Sequence, residues 1–316
     1  MSHPTFGKLV EDSWVGNGIE DKISSFKHRA LEWNRKIFGN IFARKRWILG
    51  RIEGIQRAMD SNTTHNLFLL ERSLREEYHS ILFQEETLWL QKSRVSWLKE
   101  GDFNTSFFHL STIVRRRRNA IDRLKDSNNV WLEGDSVLQS LVHGYFKNIF
   151  TNAKVVSPSR VDFQHPTVAQ GDHNLLCRIP SNTEIKNTVM AMPPWKAPGP
   201  DGLGAIFYQQ NWETVAKDVL NVVKQCFVTK KITEHMAETN IVLIPKCDKP
   251  VYVRDFRPIS LCNVIYKIVS KIIADRIKPM VNKVVGPCQR SFVHGRSTLD
   301  NIIITQETIQ YINKKG

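Results

Sequence analysis

The stretch Ile241–Leu261, IVLIPKCDKPVYVRDFRPISL, constrains the fold more than any other. Ile241 to Ile244 is a short β-branched run closed by Pro245. The segment after it is polar, with Lys246, Asp248, Lys249, Pro250 and Arg254, and Phe256 to Leu261 is apolar again. Two apolar runs separated by turn-forming residues read as two strands and a charged loop. Pro245 and Pro258 have no N–H to give to a ladder, which puts them at strand ends or on unpaired edges. The prediction is an exposed hairpin. Lys246 leaves its first strand and Arg257 begins its second, so one hairpin can offer two cations to an anion. Converging cations of this kind suit a polyphosphate; the bland alternative is a pair of solvated surface charges.

Nearly everything before this hairpin has helical spacing. Apolar residues fall at Ile19, Ile23, Phe26, Ala30, Trp33, Ile37 and Ile41, and again at Leu67, Leu70, Leu74, Tyr78 and Ile81. Steps of three and four place each set on one helix face. The polar break Ser61–Asn66 lies between them, and the expectation is a helical hairpin. The Gly101-Asp102 break then ends one helix, and Asp102 can cap the next, which carries Phe107, Phe108 and Leu110 inward. Arg115, Arg116, Arg117 and Arg118 follow as four adjacent cations. Successive helical residues point about 100° apart, so the block cannot form one ion-pair stripe, and it repels itself unless anions are near. It is either a contact for nucleic-acid phosphates or a solvated surface. Ala120–Leu124 and Val130–Leu132 flank a turn at Asp126–Asn129, and Asp135 caps an amphipathic helix through Leu138, Leu141, Val142, Tyr145, Phe146 and Ile149.

The prolines of 151–180 and its scarcity of periodic apolar residues mark an irregular linker. Ser181-x-x-Glu184 reads as a capping box opening a short helix. Trp195–Gly204, WKAPGPDGLG, is a shaped loop carrying Lys196 and Asp201, in which prolines fix φ and glycines permit close approach. Val264, Ile265, Ile268, Val269, Ile272, Ile273 and Ile277 make an apolar helix, predicted to end near Pro279 and to lie under a sheet. Gln289, Arg290 and Arg296 lie on a loop before a final helix, where they could touch a nucleic-acid backbone or base, or simply pack the loop.

Charge narrows the partners. Lys and Arg total 45 against 31 Asp and Glu, a formal charge of +14, which favours nucleic acid or another anionic surface. No apolar run reaches the roughly 18–20 residues needed to cross a bilayer. The five cysteines are widely spaced with no C-x-x-C, so free thiols are expected in place of disulfides or a zinc site. A nuclear or cytoplasmic protein is expected.

Four blocks, WKAPGPDG, IVLIPK, FRPISLCNVIYKI and QRSFVHGRSTLDNI, resemble in wording, order and separation the fingers and early palm of reverse transcriptases from LINE-type non-LTR retrotransposons, especially those of plants. LKEGDFNTSFFHLSTIVRRRRN resembles the segment between endonuclease and polymerase in such elements. The resemblance implies an RNA-directed DNA polymerase whose partners are an RNA template, a DNA primer and deoxynucleotide triphosphates, with no membrane. It implies that Lys246 and Arg257 contact the triphosphate, and that Gln289, Arg296 and the loop bearing Lys196 help seat the template and fingers. The family usually has Q-S-A-F and P-G-R; in this chain Arg290 and His294 replace the small residue and the proline. Neither the A-Y-D-like block nor F/Y-A-D-D, the aspartate blocks that hold Mg²⁺ in a complete enzyme, occurs in the sequence. Two-metal phosphoryl transfer needs those carboxylates. The expectation is a truncated enzyme, inactive and binding no metal by itself; a non-catalytic RNA/DNA-binding module and a functionless product of a decayed element are the alternatives. The expected fold is α+β and mostly helical: a helical hairpin region (1–92), a basic linker region with a small hairpin and helix (93–150), an irregular linker (151–180) and a partial polymerase domain (181–316).

Overall fold

A computed structural model describes residues 3–61, 64–93, 105–151, 168–286, 289, 293 and 295–315. They are mostly helical, with a few short strands, a content compatible with an α+β chain. Helix α1 (Phe6–Ser13) packs on α2 (Ile19–Trp33), where the Phe6 ring meets Phe26 and Trp33 edge-on at 6.2 and 5.7 Å. The periodicity predicted one helix through to Ile41. Instead α2 stops at Trp33, a π-helical turn (Asn34–Phe38) shifts the register, and Gly39 at φ 55° breaks the chain. Ile37 is accordingly left exposed.

The helical hairpin therefore forms one element later, between α3 (Ile41–Ser61) and α4 (His65–Ser93). Ile48, Ile52 and Ile55 interlock with Leu74 and Ile81, and Lys45 pairs with Glu85 at 2.7 Å beside that seam. Helix α5 (Thr105–Asn119) lies on α4. Of the three residues expected inward, Phe108 is buried, whereas Phe107 and Leu110 are exposed; among the described residues α5 packs chiefly on α4, which covers one face of it. The proposed Gly101-Asp102 break and Asp102 cap lie outside the described residues.

Strands β1 (Arg123–Lys125) and β2 (Trp131–Glu133) pair antiparallel, with Leu124 opposite Leu132. Their turn is built by Asp126, whose carboxylate accepts from the N–H groups of Asn128 and Val130, both at 2.9 Å, and by Asn129 at φ 65°. Helix α6 (Asp135–Thr151) covers β2. Within the stretch read as an irregular linker, Gln170–Cys177 forms helix α7.

After it come α8 (Asn182–Met190), α9 (Ala205–Gln210), α10 (Trp212–Thr229), α11 (Glu234–Ala237), strands β3 (Thr239–Pro245) and β4 (Phe256–Cys262), then α12 (Val264–Val284) and α13 (Thr298–Lys315). Strands β3 and β4 form a second two-stranded ribbon. Pro258 thus costs no central ladder bond.

The chain divides into two units. One takes Met1–Ala153, Trp195–Ala197 and Asn240–Leu261. Its core around the small strands joins Leu124, Leu138 and Phe146 to Val253 and Phe256 of the later ribbon. The other takes Lys154–Pro194, Pro198–Thr239 and Cys262–Gly316. There α12 packs on α7, α8, α10 and α11, so the helix expected under a sheet lies among helices. It also runs past Pro279 to Val284. Proline removes a single N–H, and burial of Met280 holds the last turns in place. Among the described residues no helix is long and apolar enough to cross a membrane, and the four described cysteines are free.

Candidate functional site

The ribbon β3–β4 is exposed along most of both strands, and its loop is rigidly built. The Lys246 N–H donates to the Asp255 carbonyl at 2.8 Å, closing the neck. A 3-10 turn (Val253–Asp255) follows, and the Asp255 carboxylate accepts from the N–H groups of Tyr252 and Val251 at 2.9 and 3.0 Å. These two bonds, the Tyr252 one first, hold the Asp255 carboxyl below the ordinary aspartate value of 3.8.

The two cations expected on the hairpin differ in state. Arg257 is exposed, and its side chain has no hydrogen bond or ion pair among the described residues. Lys246 is exposed too, but its ammonium donates to the Arg254 carbonyl at 2.6 Å, so an anion must draw it off the loop or share it.

The loop is anchored to the elements that precede it. Asp248 pairs with Arg118 at 3.2 Å, the Lys125 N–H donates to the Val251 carbonyl at 2.9 Å, and the Tyr252 hydroxyl donates to the Asn129 side chain. Of the arginine block, Arg118 is therefore engaged with the hairpin, while Arg116 and Arg117 are exposed and, among the described residues, unpaired; Arg115 is half-buried. Lys196 falls in the same unit and is exposed.

Gln289 and Arg296 belong to the other unit. Nη1 of Arg296 donates to the carbonyls of Gly286 (2.6 Å) and Gln289 (2.8 Å), and Nη2 to those of Val285 (3.1 Å) and Asn282 (3.4 Å). One guanidinium thus closes the carboxyl end of α12, where carbonyls otherwise lack partners. Arg290 lies outside the described residues, as does His294.

The loop Trp195–Gly204 is shaped from outside. In it, the Asp201 N–H donates to the side-chain oxygen of buried Asn263 (3.2 Å), whose amide nitrogen donates in turn to the His235 carbonyl (3.2 Å). Gly199 lies directly against Asn263 and the Cys262 backbone, so a Cβ there would collide with both. Gly202 turns the loop at φ 78°.

Sequence reasoning singled out none of Asn263, Asp255, Tyr252 and the pair Arg276–Glu184. The Arg276 guanidinium, 5% exposed, donates to both Glu184 oxygens (2.8 and 3.0 Å) and to the Leu176 and Arg178 carbonyls (3.1 and 2.6 Å). At the predicted capping box Ser181 accepts from the Glu184 N–H, while the Glu184 carboxylate, besides its weaker interaction with the Ser181 backbone, is bonded chiefly to Arg276. A buried guanidinium needs that carboxylate more than an exposed N-cap N–H does. The visible signal was an arginine inside an apolar helical pattern.

Among the described residues no group of three or more His, Cys, Asp or Glu is placed to hold a metal ion. The described side chains do not fit a catalytic Mg²⁺ pair.

Two comparisons bear on this geometry. Residues 244–315, from the end of β3 through α13, match the family described as Reverse transcriptase (RNA-dependent DNA polymerase). That stretch is reverse-transcriptase-like. The chain is also 22% identical, over 326 aligned residues, to the Transposon TX1 uncharacterized 149 kDa protein of Xenopus laevis. The alignment takes in 98% of this chain and 25% of that protein, so the chain spans about a quarter of the length of the curated relative it matches. The first match is thus to a reverse-transcriptase family over the last part of the chain, and the second to a transposon protein over nearly all of it.

Proposed function

We propose that the chain is the fingers and early palm of a LINE-type reverse transcriptase of plant type, together with the helical region that precedes them, working in the nucleus or cytoplasm. The observation that carries this is the family match over 244–315, which begins at the ribbon and takes in Lys246 and Arg257. In this reading the two cations hold the triphosphate of an incoming deoxynucleotide. Arg257 stands ready, and Lys246 is released from the Arg254 carbonyl as the phosphates arrive. Lys196, Arg115, Arg116, Arg117 and Arg290 follow the backbone of an RNA template and DNA primer. Gln289 helps seat the template, and Arg296 acts by shaping the loop, its donors being spent on carbonyls.

Mg²⁺ in the complete enzyme would neutralise the triphosphate and the attacking oxygen. Neither aspartate block occurs among the 316 residues, and by itself the chain extends no primer. The test is deoxynucleotide triphosphate binding by titration calorimetry. Arg257→Ala should weaken it roughly tenfold or more, the worth of a hydrogen bond to a charged group, while oligonucleotide binding holds. Equal nucleotide affinity in the two proteins refutes the role, and salt-sensitive nucleic-acid binding without any nucleotide binding would favour a non-catalytic module.

A further inference from the structure

Beside the ribbon loop lies a cleft of about 730 Å³. The β1–β2 turn, α6 and the segment Tyr252–Arg254 wall it in, and all of them lie in one unit. Its lining includes Lys125, Asn129, Tyr145, Asn148, Tyr252 and Arg254. Val253, which also lines it, belongs to the core cluster beneath, and Leu141 packs against that cluster. The site is built, because the Tyr252 hydroxyl is fixed on Asn129 and the Lys125 N–H on the Val251 carbonyl.

The chemistry of the walls selects the ligand. The Arg254 guanidinium lies 4.5 Å from the centre of the Tyr252 ring, a flat cation on a flat ring. On the same hairpin as Lys125, Arg123 and Lys125 lie 4.7 and 5.2 Å from the centre of the Trp131 ring, which is 43% exposed. Asp126 is the acid among the described lining residues, and its carboxylate already accepts two turn N–H groups. Cations interleaved with aromatic faces and side-chain amides suit a strand whose bases are unpaired: phosphates take the charge, bases stack, amides read edges. The volume is in the range of small-ligand sites and too small to admit a duplex.

We infer that this cleft binds one or two unpaired nucleotides of a single-stranded nucleic acid, stacked against Tyr252 and held by Lys125 and Arg254. The inference rests on the nucleic-acid reading proposed above and adds a site distinct from the cations Lys246 and Arg257. RNA and DNA share the chemistry, so the test carries an arm for each.

The whole 316-residue chain is mixed with oligouridylate of about twelve nucleotides bearing one 5-iodouridine, or with its deoxy counterpart. After irradiation, crosslinked peptides are mapped by mass spectrometry. Crosslinks at Tyr252 or Tyr145, outcompeted by a single strand but not by an equal-length duplex, are expected; the arm that crosslinks names the strand. Tyr252→Leu should weaken single-strand binding roughly tenfold, and Tyr252→Phe, which keeps the ring, should restore most of it. Circular dichroism confirms that each variant is folded, and Arg254→Ala, at an exposed residue of the cleft wall, serves as a second variant should Tyr252→Leu unfold. Crosslinks confined to other elements, no crosslinks at all, equal competition by duplex, or unchanged affinity in folded variants overturn the site. The reading of Lys246 and Arg257 stands or falls separately, on nucleotide affinity in Arg257→Ala.

Discussion

Arg276 shows how much one side chain can hold. It ties α12 to α8 through Glu184 and to the end of α7 through two backbone carbonyls, all within one unit. Removing one partner of a buried pair leaves the other charge stranded, and Arg276→Ala should cost about 3–5 kcal/mol in urea unfolding. The exposed pair Lys283–Asp172 should cost under about 1 kcal/mol when Lys283 is replaced by Ala. The Arg276–Glu184 pair also sets an acid limit. Bonding to Arg276 holds the Glu184 carboxyl below its ordinary value of 4.5, so the folded state takes up its proton at lower pH than the unfolded chain. The stabilisation is fully present above pH 4.5 and is lost as the pH falls through the folded-state value. Unfolding monitored between about pH 7 and pH 3 should show that acid loss, and Glu184→Gln should flatten it. Tyr208 moves the other way: burial first, then nearby Asp201, raises its hydroxyl well above the ordinary 10.0 and keeps it neutral.

Elements were legible where a local rule governs them, and illegible where a distant partner decides. The two ribbons, the Asp126–Asn129 turn, the Ser181 cap and the shaped loop before Ala205 all follow from proline, glycine and hydroxyl chemistry within a few residues. The seam of α3 was missed because the spacing through Ile41 looked continuous, and only the π-helical turn and Gly39 reveal the break. The place of α12 among helices could not be read from an apolar run, since burial under a sheet and burial among helices give the same pattern. At the site, exposed Arg257 was identifiable from its flank of the hairpin, whereas the Lys246–Arg254 contact and the four bonds of Arg296 depend on backbone carbonyls that no side-chain pattern advertises. Gly199→Ala tests the element scale: its Cβ would strike Asn263, so the loop must shift, and limited proteolysis within 195–204 should accelerate. Leu124→Ala, at the centre of the core under the ribbon, should cost about 2–5 kcal/mol.

At the scale of the whole molecule, charge governs encounter with an anionic partner. The excess of +14 means that single-strand affinity should fall steeply with added salt. Replacing exposed Arg116 and Arg117 together by Ala should reduce the slope of log affinity against log salt by roughly 1.4, if both meet phosphates on a single strand. An unchanged slope would return those two arginines to the solvated surface. Helix α13 sets a second property, because Leu299, Ile302, Ile303, Ile304, Ile309 and Ile312 are all exposed. Apolar surface of that extent favours association, and light scattering should rise with concentration unless these residues are made polar.

The interleaving of the two units along the chain has a consequence during synthesis. Leu124, Leu138 and Phe146 leave the ribosome about a hundred residues ahead of Val253 and Phe256, which at typical elongation rates is a wait of roughly 5–20 s. For that interval the first half of a core faces water while the other unit is being made. A chaperone that holds apolar segments has its clearest opening there, and a slow-codon stretch placed before the Val253 codon should lower the yield of folded protein more than the same stretch placed after it.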